Sequence, residues 1–516
     1  MAAPEDVVKN RWLGFLIWQS IAGAAVYLPS IVLLLRRPRS VALFLLSFLS
    51  FHLSLLLLSL SFFFLSSPRP LTYTPLLSGL LSPDFRRRAG LALRALLFFL
   101  ISTVAGFLSV ASVCIRSEVL DAPTLTEVAL TGSAFGVVYA MHYVLRKRWI
   151  LQFPIIQRPL FFSFKMGLSA CLKRALKLSA QAVTCSIVLV MFLPSEFRSE
   201  FRFGRFLIQL FNFYIGTSVV SICWELSHHL LQVVHTRRCA FAPPKGSAAA
   251  ETNPSEILLE TLEQSSPRSL LQYLAYLDLC TVSESNVEPW RRAAFFEESG
   301  ETYRRVIAAC SRPLEQLTSM ITEGLEGYSK NEIDSLSHPL NLPTYTHMDS
   351  RLLEAFNDFQ LCTWCARAAA AITARSHSED RYGVAQLTGC NAAVVSTLLS
   401  CLLAIEACVG KKTSPQPTHL MGPGNIRWAT MNTVRKDGVT SMRNKIRSGV
   451  LNSEAYAMAD VIRTSIYHIV SVFHADMQAN AKTSVLEKNW IVRKPLYGST
   501  EILVQKLNQF LHFHAT

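Results

Sequence analysis

The residues best suited to chemistry in this chain are few and scattered. His228 and His229, with His235 about two turns further on, form its densest imidazole group. A zinc site needs four convergent nitrogen, sulfur or oxygen donors, whereas adjacent histidines on a helix diverge by about 100° and no Cys or carboxylate completes this set. His142, close to Arg146, is the remaining candidate for acid–base work at a membrane edge. Cys362 and Cys365 make a single CxxC with no second pair or nearby His at ligand spacing, so they read as two core-facing thiols one helical turn apart. Glu297 and Glu298 are neighbours and diverge on a helix, where a general acid and base would have to face one substrate. No GxxxxGK[ST], HExxH or GxSxG is present, nor a GxGxxG following a strand. The expectation is a non-enzyme with no catalytic residue, no metal and no cofactor.

The elements that carry these residues fall into two unlike halves. The 516 residues are 50% apolar but only 17% charged, and mean hydropathy is +0.29. Charge is what runs short relative to a usual quarter or so. A helix crossing about 30 Å of hydrocarbon needs about 20 mostly apolar residues, because its backbone polar groups must be satisfied within the segment. Runs of that kind occupy 12–35, 41–65, 95–113, 128–145, 178–193 and 206–231, which predicts six crossings. The first is too long for a cleavable signal peptide.

The net charge of +14 could suggest nucleic acid. Its distribution says otherwise. Residues 1–235 hold 22 Lys and Arg against 9 Asp and Glu, and the rest of the chain is nearly neutral. The basic residues flank the apolar runs. Lys9, Arg11, the loops 66–90 and 146–177, and Arg237 with Arg238 lie on one side of a six-crossing topology. Arg36, Arg37, Arg39, Arg116, Arg198, Arg202 and Arg205 lie on the other. The richer side is expected to be cytosolic, with both termini there, although Arg36, Arg37 and Arg39 oppose the rule locally. Neither nucleic acid nor a small-molecule substrate is expected as a partner. A multipass transporter or a membrane-embedded lipid enzyme of the endoplasmic reticulum or nuclear envelope is the alternative class. The first would place ionisable groups near mid-bilayer and the second a convergent His, Asp or Cys set at the membrane edge.

Within the loop 146–177, helical spacing puts Phe161, Phe164, Leu168, Cys171, Leu172 and Ala175 on one arc and Lys165, Lys173, Arg174 and Lys177 opposite. That pattern suits a basic amphipathic helix in the headgroup layer, binding anionic lipid, or positive-inside charge flanking the fifth crossing.

Residues 239–255 have a linker's Pro, Gly, Ala and Ser content. Beyond them apolar spacing of three and four predicts helices at about 256–279, 289–323, 350–375, 383–409 and 452–480, separated by loop-rich intervals at 327–349 and 411–449, the second expected to be flexible. The fold class is therefore all-α: a six-helix transmembrane domain over 12–238 after a cytosolic N-terminus of 1–11, then a cytosolic helical domain over 256–516. The last segment, Thr500 to His514, puts Leu503, Leu507 and Phe510 on one arc, for its own domain or for a partner's groove. The twelve cysteines suit reduced thiols rather than a secreted framework.

Residues 270–317 are the most distinctive soluble stretch. A helix carrying Leu277, Asp278 and Leu279 leads through a Ser-containing turn to Pro289, Trp290, the Arg291–Arg292 pair, Phe295 and Phe296, then to a helix with Ile307 and Cys310. This stretch resembles the cytosolic region of the transmembrane nucleoporins of the nuclear division cycle family, and Arg11–Trp12 entering the first of six crossings resembles their layout. Where some members carry a Gly- and Pro-rich turn after the Phe, this chain has Glu297-Glu298-Ser299-Gly300. The resemblance implies an integral pore-membrane protein of the nuclear envelope that anchors the nuclear pore scaffold and supports pore assembly and nucleocytoplasmic transport. Its implied partners are membrane-binding inner-ring nucleoporins and the WD-repeat nucleoporin aladin. Trp290, Arg291, Arg292, Phe295, Phe296, Leu503, Leu507 and Phe510 become the candidate partner contacts.

Overall fold

The computed structural model describes residues 4–33, 41–68, 83–114, 122–192, 203–337, 354–413, 434–483 and 485–514. Among these the fold is all-α, with a lone parallel bridge between Ser67 and Ile150. The chain divides into two compact units, Met1–Arg238 and Cys239–Thr516.

The first unit holds α1 (Pro4–Leu33), α2 (Val41–Leu65), α3 (Pro83–Cys114), α4 (Ala122–Leu145), α5 (Leu160–Met191) and α6 (Phe203–His235). Each contains an apolar stretch long enough to span a bilayer. Leu45, Leu46, Leu49, Leu96, Leu100, Ile208 and Phe211 are exposed on their outer faces, as befits helices whose solvent is lipid. Inside, packing relies on small residues and local polar bonds. Gly106 on α3 meets Gly132 and Gly136 on α4 so closely that a Cβ on Gly136 would lie 2.2 Å from the Ser102 carbonyl oxygen. Ser54 on α2 bonds Ser109 on α3 at 2.5 Å, and Ser179 on α5 bonds Thr217 on α6 at 2.7 Å.

Cross-helix bonds show which ends lie together. Arg11 donates to the carbonyl oxygens of Val234, His235 and Arg237. Ser67, just past α2, exchanges backbone bonds with Trp149 and Leu151, just past α4. The starts of α1 and α5 and the ends of α2, α4 and α6 therefore share one end of the bundle.

The helices outrun the apolar windows read from sequence. The fifth begins at Leu160 rather than 178, so the amphipathic stretch 161–178 is the first half of one continuous helix about 48 Å long. The arginines of the opposite loops, Arg36, Arg37, Arg39, Arg116, Arg198 and Arg202, lie outside the described residues, as do the side chains of Arg86, Arg87, Arg88 and Arg205.

The second unit contains α7 (Ala248–Thr252), α8 (Glu256–Gln264), α9 (Leu270–Glu284), α10 (Pro289–Ala293), α11 (Glu301–Ser337), α12 (Phe359–Glu379), α13 (Val384–Leu387), α14 (Cys390–Thr413), α15 (Val434–Val472), α16 (His474–Lys482), α17 (Leu486–Trp490) and α18 (Thr500–His514). The linker reading of 239–255 changes here. Phe241 is buried and both of its backbone polar groups are bonded, and Ser247 caps the short α7. The interval 411–449 is not all loop either. Its described part includes the start of α15, and α11 carries on to Ser337. Extending a nucleated helix costs far less than starting one, so a polar flank with little periodicity follows its apolar neighbour. Residues 414–433 and 338–353 lie outside the described residues. Cys390–Gly410 in α14 is also apolar enough to cross a membrane, but 67% of its most apolar stretch is buried, against 50% or less for the corresponding stretches of the other six. Val394, Leu398, Leu399, Leu402 and Ile405 of this helix are buried in the second unit.

Candidate functional site

The Arg291–Arg292 pair follows Pro289, which fits the first turn of α10 because its missing N–H would be unsatisfied there anyway. The short helix turns the two guanidinium groups toward different carboxylates. Arg291 grips Asp278 of α9 with Nη2–Oδ2 at 2.6 Å and Nη1–Oδ1 at 3.3 Å, and also reaches Glu288 at 2.8 Å and the Phe241 carbonyl at 3.1 Å. Asp278 in turn accepts the Phe241 N–H at 2.9 Å. Arg292 makes a two-pronged pair with Glu379 at the end of α12, at 2.7 and 2.8 Å, and donates to the Ser285 carbonyl at 2.7 Å. Burial works against the Arg291 charge, but Asp278 and Glu288 outweigh it and raise its pKa.

Arg291 is 1% exposed and Arg292 2%, while Phe295 and Phe296 are equally enclosed. These four were expected to meet a partner. Arg291 and Arg292 tie α10 to α9 and α12, and Phe296 lies 5.5 Å from the ring of Tyr303 on α11, so all four side chains sit inside the unit. Trp290 is half-buried. Leu503 and Leu507 are fully buried where α18 lies on α14 and α15, an arrangement reinforced by Lys506 bonding Glu406 at 2.9 Å. Phe510 keeps part of its surface.

Glu297 and Glu298 lie not on a helix but between α10 and α11, with Glu297 in extended backbone. Glu297 accepts from the hydroxyls of Ser299 and Thr302 at 2.7 and 2.6 Å and from the Thr302 N–H, tying down the start of α11, while Glu298 faces outward. Gly300, just before α11, has φ +70°, and a Cβ there would lie 2.9 Å from Val384. Cys362 and Cys365 are both buried on α12, and burial pushes the Cys365 thiol well up. Burial also raises the Cys310 thiol, to about 12. All twelve cysteines are thiols. Among the described residues no group of three His, Cys, Asp or Glu is placed to hold a metal.

In the first unit the histidines go three separate ways. His228 packs edge-on against Tyr143, with centroids 5.3 Å apart. His229 stacks on Phe164 and bonds its carbonyl at 3.0 Å, and His235 lies against Trp12 and bonds the Leu231 carbonyl at 3.0 Å. Between them lies a cluster not anticipated from sequence. Glu225 of α6, 0% exposed, takes a two-pronged bond from Arg148 at 2.6 and 2.8 Å, with Arg174 of α5 at 3.9 Å. The Arg148 guanidinium also lies 5.9 and 5.6 Å from the ring centres of Tyr139 and Tyr143. The signal was available: Glu225 is the sole acid in α6, and a carboxylate in an apolar span demands a partner.

The candidate lipid residues divide. Phe161, Lys165, Leu168, Lys173 and Lys177 are exposed, whereas Phe164 turns to His229 and Arg174 toward Glu225. Cys171 and Ala175 of the same apolar arc are buried in the bundle. Part of that stripe is thus the face α5 packs against its neighbours. The segment before α5 is clamped to α6: Gln232 accepts the Gln152 N–H at 3.0 Å and donates to the Ile150 carbonyl at 3.1 Å, and Gln157 accepts the Arg238 N–H at 3.1 Å.

Residues 128–339 match the family model described as nucleoporin protein Ndc1-Nup. Over these residues, about two fifths of its length, the chain is similar to the Ndc1-Nup nucleoporins. No curated protein matches it. The Ndc1-Nup match runs from α4 to α11, so it takes in the Arg148–Glu225 pair, the exposed half of α5 and the Asp278–Arg291 lock. The match and the long apolar helices together support a nucleoporin role at the nuclear envelope, with membrane and other nucleoporins as partner classes.

Proposed function

We propose that this chain anchors the nuclear pore scaffold in the pore membrane, and so supports pore assembly and nucleocytoplasmic transport. One observation carries the reading. Within a single chain matched by the family model, six helices with lipid-type outer faces are followed by a helical unit whose charged clusters are satisfied internally. Anchoring requires no catalytic group. It requires a bilayer-embedded part and a rigid surface for proteins, which the second unit supplies with membrane-binding inner-ring nucleoporins and aladin as its partners. Six crossings put both termini on one side, and the greater Lys and Arg content of that side makes it the cytosolic and nucleoplasmic one. Exposed Phe161, Lys165, Leu168, Lys173 and Lys177 meet lipid, and the accessible edges of Trp290 and Phe510 belong to the partner-facing surface.

The test is localisation with loss of function. A fluorescently tagged chain gives a punctate nuclear rim, and its depletion lowers the density of pores. Uniform endoplasmic reticulum signal with normal pore density would sink the proposal.

A further inference from the structure

The segment between α4 and α5 leaves a crevice of about 410 Å³ against the end of α6, within the roughly 300–1,000 Å³ typical of small-ligand sites. Its walls combine two chemistries. Ile155, Ile156, Leu160 and Met166 give it apolar surface, and Ile155 is 92% exposed. Arg158 and Arg237 give it positive charge. Neither arginine has an ion-pair partner among the described residues, whereas Arg148, Arg291 and Arg292 are all matched by carboxylates. Arg158 touches only the soft sulfur of Met166, and the Arg237 side chain is exposed.

Position adds a second constraint. The crevice sits where α4 leaves, α5 enters and α6 leaves the apolar part of the bundle, which is where a spanning bundle meets lipid headgroups. The first turn of α5 has no capping side chain, so its amide groups also face outward there with the positive end of the helix dipole. The loop does not collapse onto the gap, because Gln157 and Gln232 hold it to α6.

We propose that this crevice is a specific site for an anionic phospholipid. Its headgroup phosphate lies between Arg158 and Arg237, and an acyl chain lies over Ile155, Ile156 and Met166. Exposed isoleucines next to water would be unfavourable, and beside an acyl chain they are not. A phosphate offers several oxygens that two guanidinium groups can bond at once in the fork geometry arginine favours. The site differs from the lysine-rich face of α5, which offers charge without a cavity.

The purified full-length chain in nanodiscs of phosphatidylcholine, doped with photoactivatable phosphatidylserine, tests this directly. Label should concentrate on peptides containing Ile155, Ile156 and Met166. Arg158→Gln with Arg237→Gln should lower that label about tenfold, as loss of charge-assisted phosphate contacts implies. Ile155→Trp, which fills the crevice but keeps both arginines, should lower it too, whereas Lys173→Gln with Lys177→Gln should not. Labelling that ignores both the arginine pair and the tryptophan variant would overturn the proposal. So would equal labelling by photoactivatable phosphatidylcholine, which would make this an ordinary lipid boundary. Full displacement by inorganic phosphate would reduce it to a free-anion site. None of these readouts depends on nuclear-rim localisation, so the site and the anchoring role can fail separately.

Discussion

Arg291 and Arg292 show what residue types announce and what they withhold. Two arginines beside aromatic residues read from sequence as a surface for a partner, and nothing local discloses that their carboxylates are Asp278, 13 residues back, and Glu379, 87 residues on. Removing one member of a buried pair strands the other charge, which typically costs about 3–5 kcal/mol. Arg291→Ala should therefore destabilise the second unit by about that amount, and Arg291→Lys should rescue little because the two-pronged geometry is lost. Urea unfolding of the full chain in detergent, followed by tryptophan fluorescence, measures both. Glu297 and Glu379 add a pH dependence. Burial disfavours both charges, but bonds from Thr302 and Ser299 to the first and from Arg292 to the second outweigh it, so both pKa values lie below the ordinary glutamate range. With the folded value depressed, the stabilisation is complete above the unfolded value and is lost as pH falls through the folded one. The urea midpoint should fall with acidification below the ordinary glutamate range, and Glu297→Gln should flatten part of that fall.

At the scale of elements, the sequence discloses helices readily and their contacts poorly. Apolar runs of bilayer length locate all six long helices of the first unit, because lipid forces one solution on the backbone. The continuity of α5 was hidden, since a basic amphipathic stretch followed by an apolar one reads equally well as two pieces. Small residues were legible only in hindsight. Gly132 and Gly136 are one helical turn apart on α4, and α3 comes close enough that a Cβ on Gly136 would strike backbone. Backbone cannot swing aside as a side chain can, so Gly136→Ala should cost about 1–3 kcal/mol of stability in detergent. The Arg148–Glu225 pair ties the end of α4 to α6. Glu225→Gln alone should lower the thermal midpoint markedly by leaving Arg148 unmatched, while Arg148→Met combined with Glu225→Leu should recover much of the loss, because a buried pair gains little over well-packed apolar side chains. Equal losses in the single and double variants would mean that the pair contributes more than mutual neutralisation.

For the whole molecule the decisive quantity is where the positive charge lies. Of a net +14, nearly all belongs to the first 235 residues, and the loops grouped with the N-terminus carry more of it than the opposite ones. The structure adds an independent constraint: Arg11, Ser67, Trp149 and His235 meet at one end of the bundle, as an even number of antiparallel crossings requires. The proposed orientation, which follows the charge bias, puts that end in the cytosol. Glycosylation acceptor sites placed one at a time in the connecting segments should report the assignment. Acceptors within 34–40, 115–121 or 193–202 should be modified in the lumen, and one within 69–82 should not. In sealed microsomes, added protease should digest the second unit. Arg36, Arg37 and Arg39 make the first loop the sharpest case, since a local reading of the charge rule would keep it cytosolic. Modification there would show that the packing of α1 against α6 and the larger loop charges override it. Protection of the second unit, with modification at 69–82, would invert the whole arrangement and put the crevice beside α5 in the lumen.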